Sequence, residues 1–137
     1  MAKFESSVRQ IDYPQSKVYA MLSNLENVER VRDKLPEDKV KDLKFDRDSI
    51  SLSTPLGSAR LEIVEREEPK CIKFATTESP LPFNFWIQML PVTESTSKMK
   101  LTIQASLNPF ILGMAKRPLQ EALEKIADVL QMIDYND

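Results

Sequence analysis

Residues 83–133 read FNFWIQMLPVTESTSKMKLTIQASLNPFILGMAKRPLQEALEKIADVLQMI, and the spacing of their apolar side chains changes partway along. Phe83, Phe85, Ile87 and Met89 alternate with Asn84, Trp86 and Gln88. Met99, Leu101, Ile103, Ala105 and Leu107 then alternate with Lys98, Lys100, Thr102, Gln104 and Ser106. A period of two belongs to strands with one buried face. Past Asn108 the period becomes helical: Leu119, Ala122, Leu123, Ile126, Leu130 and Ile133 share one side, opposite Glu121, Glu124, Lys125 and Asp128. Pro118 leaves two starting points for this helix. Either it begins at Pro118, which suits a first turn, or it begins near Phe110 and kinks at Pro118. The apolar set Phe110, Ile111, Met114 and Ala115 favours the earlier start.

Working back towards the N-terminus, the period of two continues as far as Val40. Leu43 and Phe45 lead into the polar turn Asp46-Arg47-Asp48, and Ile50, Leu52 and Thr54 alternate with serines. Ala59, Leu61 and Ile63 form the next inner row, and Ile72, Phe74 and Thr76 the one after. Short connections between such strands predict an antiparallel meander with one buried and one wetted face. Trp86 is an exception on the wetted face. Two short helices are predicted upstream, one carrying Val18, Met21, Leu22 and Leu25 and one carrying Val28, Val31 and Leu35, which Pro36 ends. Residues 3–12 read as a first strand, with Lys3, Glu5, Ser7 and Arg9 facing away from Phe4, Ser6 and Val8. The expected fold is α+β in the order β-αα-β6-α: about seven antiparallel strands curved around a long C-terminal helix.

In a meander, alternate loops fall at opposite ends of the sheet. One end collects Asp46-Arg47-Asp48, REEPK at 66–70 and TESTS at 93–97, all with ordinary polar turn chemistry. The other collects TPLGS at 54–58, ESPLPF at 78–83 and NPFILG at 108–113. Pro55, Leu56, Pro80, Leu81, Pro82 and Pro109 gather there, an unusual concentration of apolar groups in surface turns. Two readings stand side by side: loops that cap the core, or loops that rim the mouth of a pocket between sheet and helix. Both glycines of the chain, Gly57 and Gly113, fall at this end, where backbone freedom suits a gate.

Composition removes many chemistries. The 137 residues include no His, one Cys and two Gly. Without imidazole there is no Ser-His-Asp, Cys-His or His-ligated metal site, and Cys71 alone makes neither an intrachain disulfide nor a thiolate metal cluster. Two glycines 56 positions apart build no phosphate-binding loop. A net charge of -2, with no basic stripe, argues against nucleic acid as a partner. The N-terminal MAKFESSVRQ has no signal-peptide core, and no apolar run approaches the ~20 residues that span a bilayer. A single domain in the cytoplasm is the expectation, with no metal, no cofactor and at most transient membrane contact.

The order of elements and three strings resemble the START-like, Bet v 1-type helix-grip (SRPBCC) superfamily. The strings are IDYPQSKVYAMLSNLEN at 11–27, GSARLEIVE at 57–65 and KRPLQEALEKIADVLQMI at 116–133. The chain is similar in particular to small bacterial members of the polyketide cyclase/dehydrase and lipid-transport type. The resemblance spans residues 1–137 and implies one START-like domain holding a small apolar ligand between sheet and closing helix. Two features depart from the pattern. The second short helix, VERVRDKL at 28–35, lacks the aromatic residue that members often carry there. The inner rows hold no clearly placed Asp, Glu, Lys, Arg or Tyr, only Ser6, Thr54 and Thr76, whose hydroxyls do not transfer protons near neutrality.

Binding of a lipid, isoprenoid or polyketide-like molecule is therefore the leading expectation. The candidate lining comes from the strands through Leu52, Leu61, Phe74, Phe85 and Ile87, and through Met99, Leu101 and Ile103. The helix adds Phe110, Met114, Leu119 and Leu123. For each of these taken singly, ordinary core packing outweighs a lining role. An enzyme of the cyclase or dehydratase kind is the alternative, and no catalytic residue is assigned; Asp12, Tyr13, Tyr19 and Glu78 read as structural or solvated. A protein- or membrane-surface module is the third reading, based on FILGMAKR at 110–117, which joins apolar residues to two cations.

Overall fold

A computed structural model describes residues 2–27, 29, 44–54, 57–78, 82–133 and 135, with the backbone alone for 52–54, 57–58 and 78. Eight strands form one antiparallel sheet: β1 (Ala2–Glu5), β2 (Arg9–Ile11), β3 (Lys44–Phe45), β4 (Ser49–Thr54), β5 (Gly57–Glu67), β6 (Cys71–Glu78), β7 (Phe83–Pro91) and β8 (Ser97–Ala105). Helix α1 (Gln15–Leu22) and a 3-10 turn (Leu25–Asn27) follow β2, and helix α2 (Pro109–Met132) closes the chain. Strands β3 to β8 run as a meander, and β1 and β2 both pair with β8. This is the helix-grip arrangement expected. The second short helix, expected on Val28, Val31 and Leu35, lies outside the described residues.

Strand pairing turns the period-two pattern into cross-strand rows on the inner face. Ile63, Phe74, Phe85, Ile103 and Phe4 make one row, and Ile72, Ile87 and Leu101 the next. Met89 pairs with Met99 beyond them. Opposed apolar side chains at these positions stabilise the sheet and set its register, because a slip of one residue would turn every row to water. The registers also put the two sets of turns at opposite ends, as the alternation of loops implies.

Helix α2 starts at Pro109. The Asn108 side chain caps it, its Oδ1 accepting the Ile111 N–H at 2.8 Å, and Pro109 occupies the first turn, where its missing N–H costs nothing. The helix continues through Pro118. Pro118 cannot donate to the Met114 carbonyl, and both residues are exposed, so water can take that bond. Ala115, Leu119, Leu123 and Ala127 are buried at four-residue intervals, a ridge that packs on the sheet. Its nearest strands are β1, β2 and β8, on one side of the concave face.

Two features of the first and fifth strands correct the sequence reading. Residues 3–12 are not one strand. Glu5 pairs with Thr102 and Arg9 with Met99, so four steps on one strand match three on the other. The extra residue is a bulge, anchored by Ser6, whose N–H donates to the Leu101 carbonyl and whose Oγ accepts the Leu101 N–H, both at 2.9 Å. Facing therefore inverts: Val8 is 61% exposed, and Arg9 shares the inner face with Met99. In β5 the register shifts again between Ile63 and Glu65, leaving Val64 exposed and Arg66 opposite the inward Ile72. Arg66 donates to the Ser23 carbonyl at the end of α1 (2.9 Å) and to Asp48 (2.6 Å). Each bulge thus turns an arginine towards a helix.

The end of the sheet that bears the polar turns is closed. Ile11, Val18, Met89, Met99, Leu123 and Ala127 are sealed there. Beyond α2 the chain folds back, so that Ile133 and Tyr135 are buried. Tyr135 meets Tyr13 edge-on with ring centres 5.6 Å apart, and its hydroxyl donates to the Leu130 carbonyl at 2.6 Å. The tail, read from Asp134 and Asp137 as a frayed end, is instead pinned at Tyr135; those two aspartates lie outside the described residues.

Candidate functional site

Phe85 stands out on the inner face for its remaining exposure, since its row neighbours Phe74 and Ile103 are buried and so are Phe83 and Ala105 one row nearer the apolar loops. In the row nearer the closed end, Ile72 and Leu101 are 0% exposed. One row further towards the apolar loops, Phe85 is only half-buried, although it lies in a central strand between Phe74 and Ile103. Its ring centre is 5.5 Å from that of Phe74. Ile50, Leu107, Ile111 and Leu112 are half-buried around the same end. Helix α2 packs mainly on β1, β2 and β8, so these side chains of the β4–β7 half lie to one side of its principal contacts.

The structure distributes the sequence-selected lining residues unevenly. Leu61, Phe74, Phe85 and Ile103 face inward in the two rows nearest the loops, and Leu119 is buried beneath them on α2. Ile87 and Leu101 lie in the middle row, while Met99 and Leu123 are sealed near the closed end. Phe110 and Met114 do not face the sheet: they are 75% and 64% exposed on the side of α2 opposite Leu119. The Leu52 side chain lies outside the described residues. Among the mouth residues, Gly57 opens β5 opposite Thr54, Pro82 and Pro109 are exposed, and Gly113 is exposed in the second turn of α2. Pro55, Leu56, Pro80 and Leu81 lie outside the described residues.

A Cβ at Gly113 would meet nothing within 4 Å. Gly113→Ala is therefore expected to stabilise the fold by about 0.5–1 kcal/mol, read as a rise in the thermal midpoint. A fall would show that this position needs the freedom of glycine.

Of the three inner hydroxyls that the sequence offers, Ser6 and Thr76 are occupied, and the Thr54 side chain lies outside the described residues. Ser6 is bonded to the backbone of Leu101, and Thr76 Oγ1 accepts the Phe83 N–H at 3.2 Å. Arg9, which sequence reading placed on the outer face, binds Asp128, Glu124 Oε2 (3.1 Å) and Gln131 Oε1 (3.2 Å). The signal for its inward turn was present in the parity of Phe4 and Ile11, one even and one odd, both buried. The bond with Asp128 is the main reason that the Arg9 pKa is raised. Glu124 is held below the usual carboxylate range, first by the N–H of Ser7 and then by Arg9. Further ties join α2 to the first strands: Gln120 donates to the Glu5 carbonyl (2.7 Å) and Gln131 to that of Gln10 (3.0 Å). Arg9 is thus a fastener for α2, engaged on every side.

Arg9→Met is expected to cost about 1–2 kcal/mol, since Glu124 and Asp128 are partly exposed and regain water. The pH dependence follows from Glu124. Its folded pKa is depressed, so its contribution is complete above the unfolded value near 4.3 and is lost as pH falls through the folded value. Urea titrations from pH 6 to 3 should show a steeper acid loss in the wild type than in Glu124→Gln.

On the convex face, Trp86 lies between Lys73 and Thr102, with the Lys73 ammonium 5.5 Å from the ring centre. Burial pushes the Cys71 thiol up, and the residue belongs to this outer face. A wide depression at the β3 edge is lined by Glu26, Glu29, Phe45, Asp46, Arg47 and Asp48. It is acidic and open and lies at the closed end. Among the described residues no group of three His, Cys, Asp or Glu side chains is placed to hold a metal ion, and no helix is long and apolar enough to cross a membrane.

No protein-family model matches the chain, and no curated protein matches it in sequence. Solved structures are similar in fold. Norcoclaurine synthase of Thalictrum flavum, as a point mutant with a transition-state analogue, matches with a TM-score of 0.76 at 11% identity, over 95% of this chain and 91% of that one. A START superfamily protein of Mycobacterium smegmatis matches at 0.69 and 11% identity, over 94% of each chain. A Thermus thermophilus protein matches at 0.64 and 17% identity, over 95% of this chain and 94% of that one. The chain has the START/Bet v 1-like helix-grip fold.

Proposed function

We propose that this protein, as a single START-like domain acting in the cytoplasm, binds and carries a small apolar molecule such as a lipid, isoprenoid or polyketide-like compound. The observation that carries the reading is Phe85: an inward aromatic in a central strand that remains half-buried, one row from side chains that are fully sealed. The surrounding inner groups are hydrocarbon, and the hydroxyls of Ser6 and Thr76 are spent on backbone bonds. A ligand here gains from burial at roughly 25 cal/mol per Å² of apolar surface. Leu61, Phe74, Phe85, Ile103 and Leu119 are the lining we assign. Norcoclaurine synthase, which is similar in fold and was solved in complex with dopamine and hydroxybenzaldehyde, lends support to a small-molecule ligand. The inward arginines speak for holding a ligand rather than transforming it, because Arg9 and Arg66 are both bound to helix partners.

The test is denaturing mass spectrometry of the purified protein for co-eluting small molecules, followed by titration with a fluorescent fatty acid. Phe85→Trp fills the proposed ligand space and is expected to weaken uptake at least ~10-fold, about 1.4 kcal/mol, while leaving the thermal midpoint within a few degrees. Uptake that is absent in the wild type, or equal in the variant, would count against the reading.

A further inference from the structure

We draw no further inference here: the strongest candidate, the exposed Phe110–Met114 face on the first turns of α2, is a surface patch of mixed charge that Arg117 and Glu121 share, and nothing in the structure shows what covers it.

Discussion

Leu123→Ala is expected to lower the stability of the protein by about 3 kcal/mol and its thermal midpoint by roughly 10 °C, whereas Leu112→Ala should cost about 1 kcal/mol or less. Both residues are leucines on α2 and differ in what surrounds them. Leu123 is 0% exposed within the core at the closed end, on the helix that packs against β1, β2 and β8. Truncation there loses the transfer energy of the side chain and leaves a cavity. Leu112 is half-buried, so truncation returns less apolar surface to water and the neighbouring side chains have more room to relax. Chemical denaturation of the two variants gives the comparison directly. Equal losses would mean that the interior is packed uniformly from end to end, and the assignment of a ligand space beside Phe85 would fail with it.

Tyr135→Ala is expected to cost about 3 kcal/mol, although it is the third residue from the last of the chain. The ring is buried against Tyr13, and the hydroxyl is bonded to the Leu130 carbonyl. Tyr135→Phe isolates that bond and should cost about 1 kcal/mol. The pair also predicts a response to alkali. Burial raises the Tyr135 pKa well above the ordinary value near 10. The neutral phenol is the form that the fold favours, so its contribution is complete below pH 10 and declines as pH rises towards the folded value. Unfolding followed between pH 8 and 12 should show a later loss in Tyr135→Phe than in the wild type. If Tyr135→Ala unfolds with the wild type, the tail is not a structural element.

The rows of the sheet, the long helix and the sorting of loops were legible because periods of 2 and 3.6 are written in local apolar spacing. The bulges were legible only in part. Phe4 and Ile11 differ in parity, which an unbroken strand does not allow if both are buried; their odd separation carries no hint of where the shift occurs, and Ser6 settles that through contacts with Leu101 far along the chain. Arg9 was placed on the wrong face for this reason. Phe110 and Met114 show a different limit. Apolar identity suggested lining, but Phe110 is nine residues before Leu119, about half a turn away at ~100° per residue, and the angle outweighs the composition. Tyr135 lies past the last helical repeat, where burial depends on tertiary contact alone. The half-burial of Phe85 has no sequence signature, because Phe74 beside it has the same residue type and period.

Pro118 divides α2 in a way that outlasts any single contact. On its C-terminal side the helix is laced to the first strands through Gln120, Glu124, Asp128 and Gln131. On its N-terminal side lie a glycine, a carbonyl that Pro118 cannot satisfy and the exposed Phe110–Met114 face. One unbroken helix therefore spans two cooperative units with separate opening free energies. Hydrogen exchange is expected to show amides before Pro118 opening through local fraying and those after it only when the whole domain unfolds.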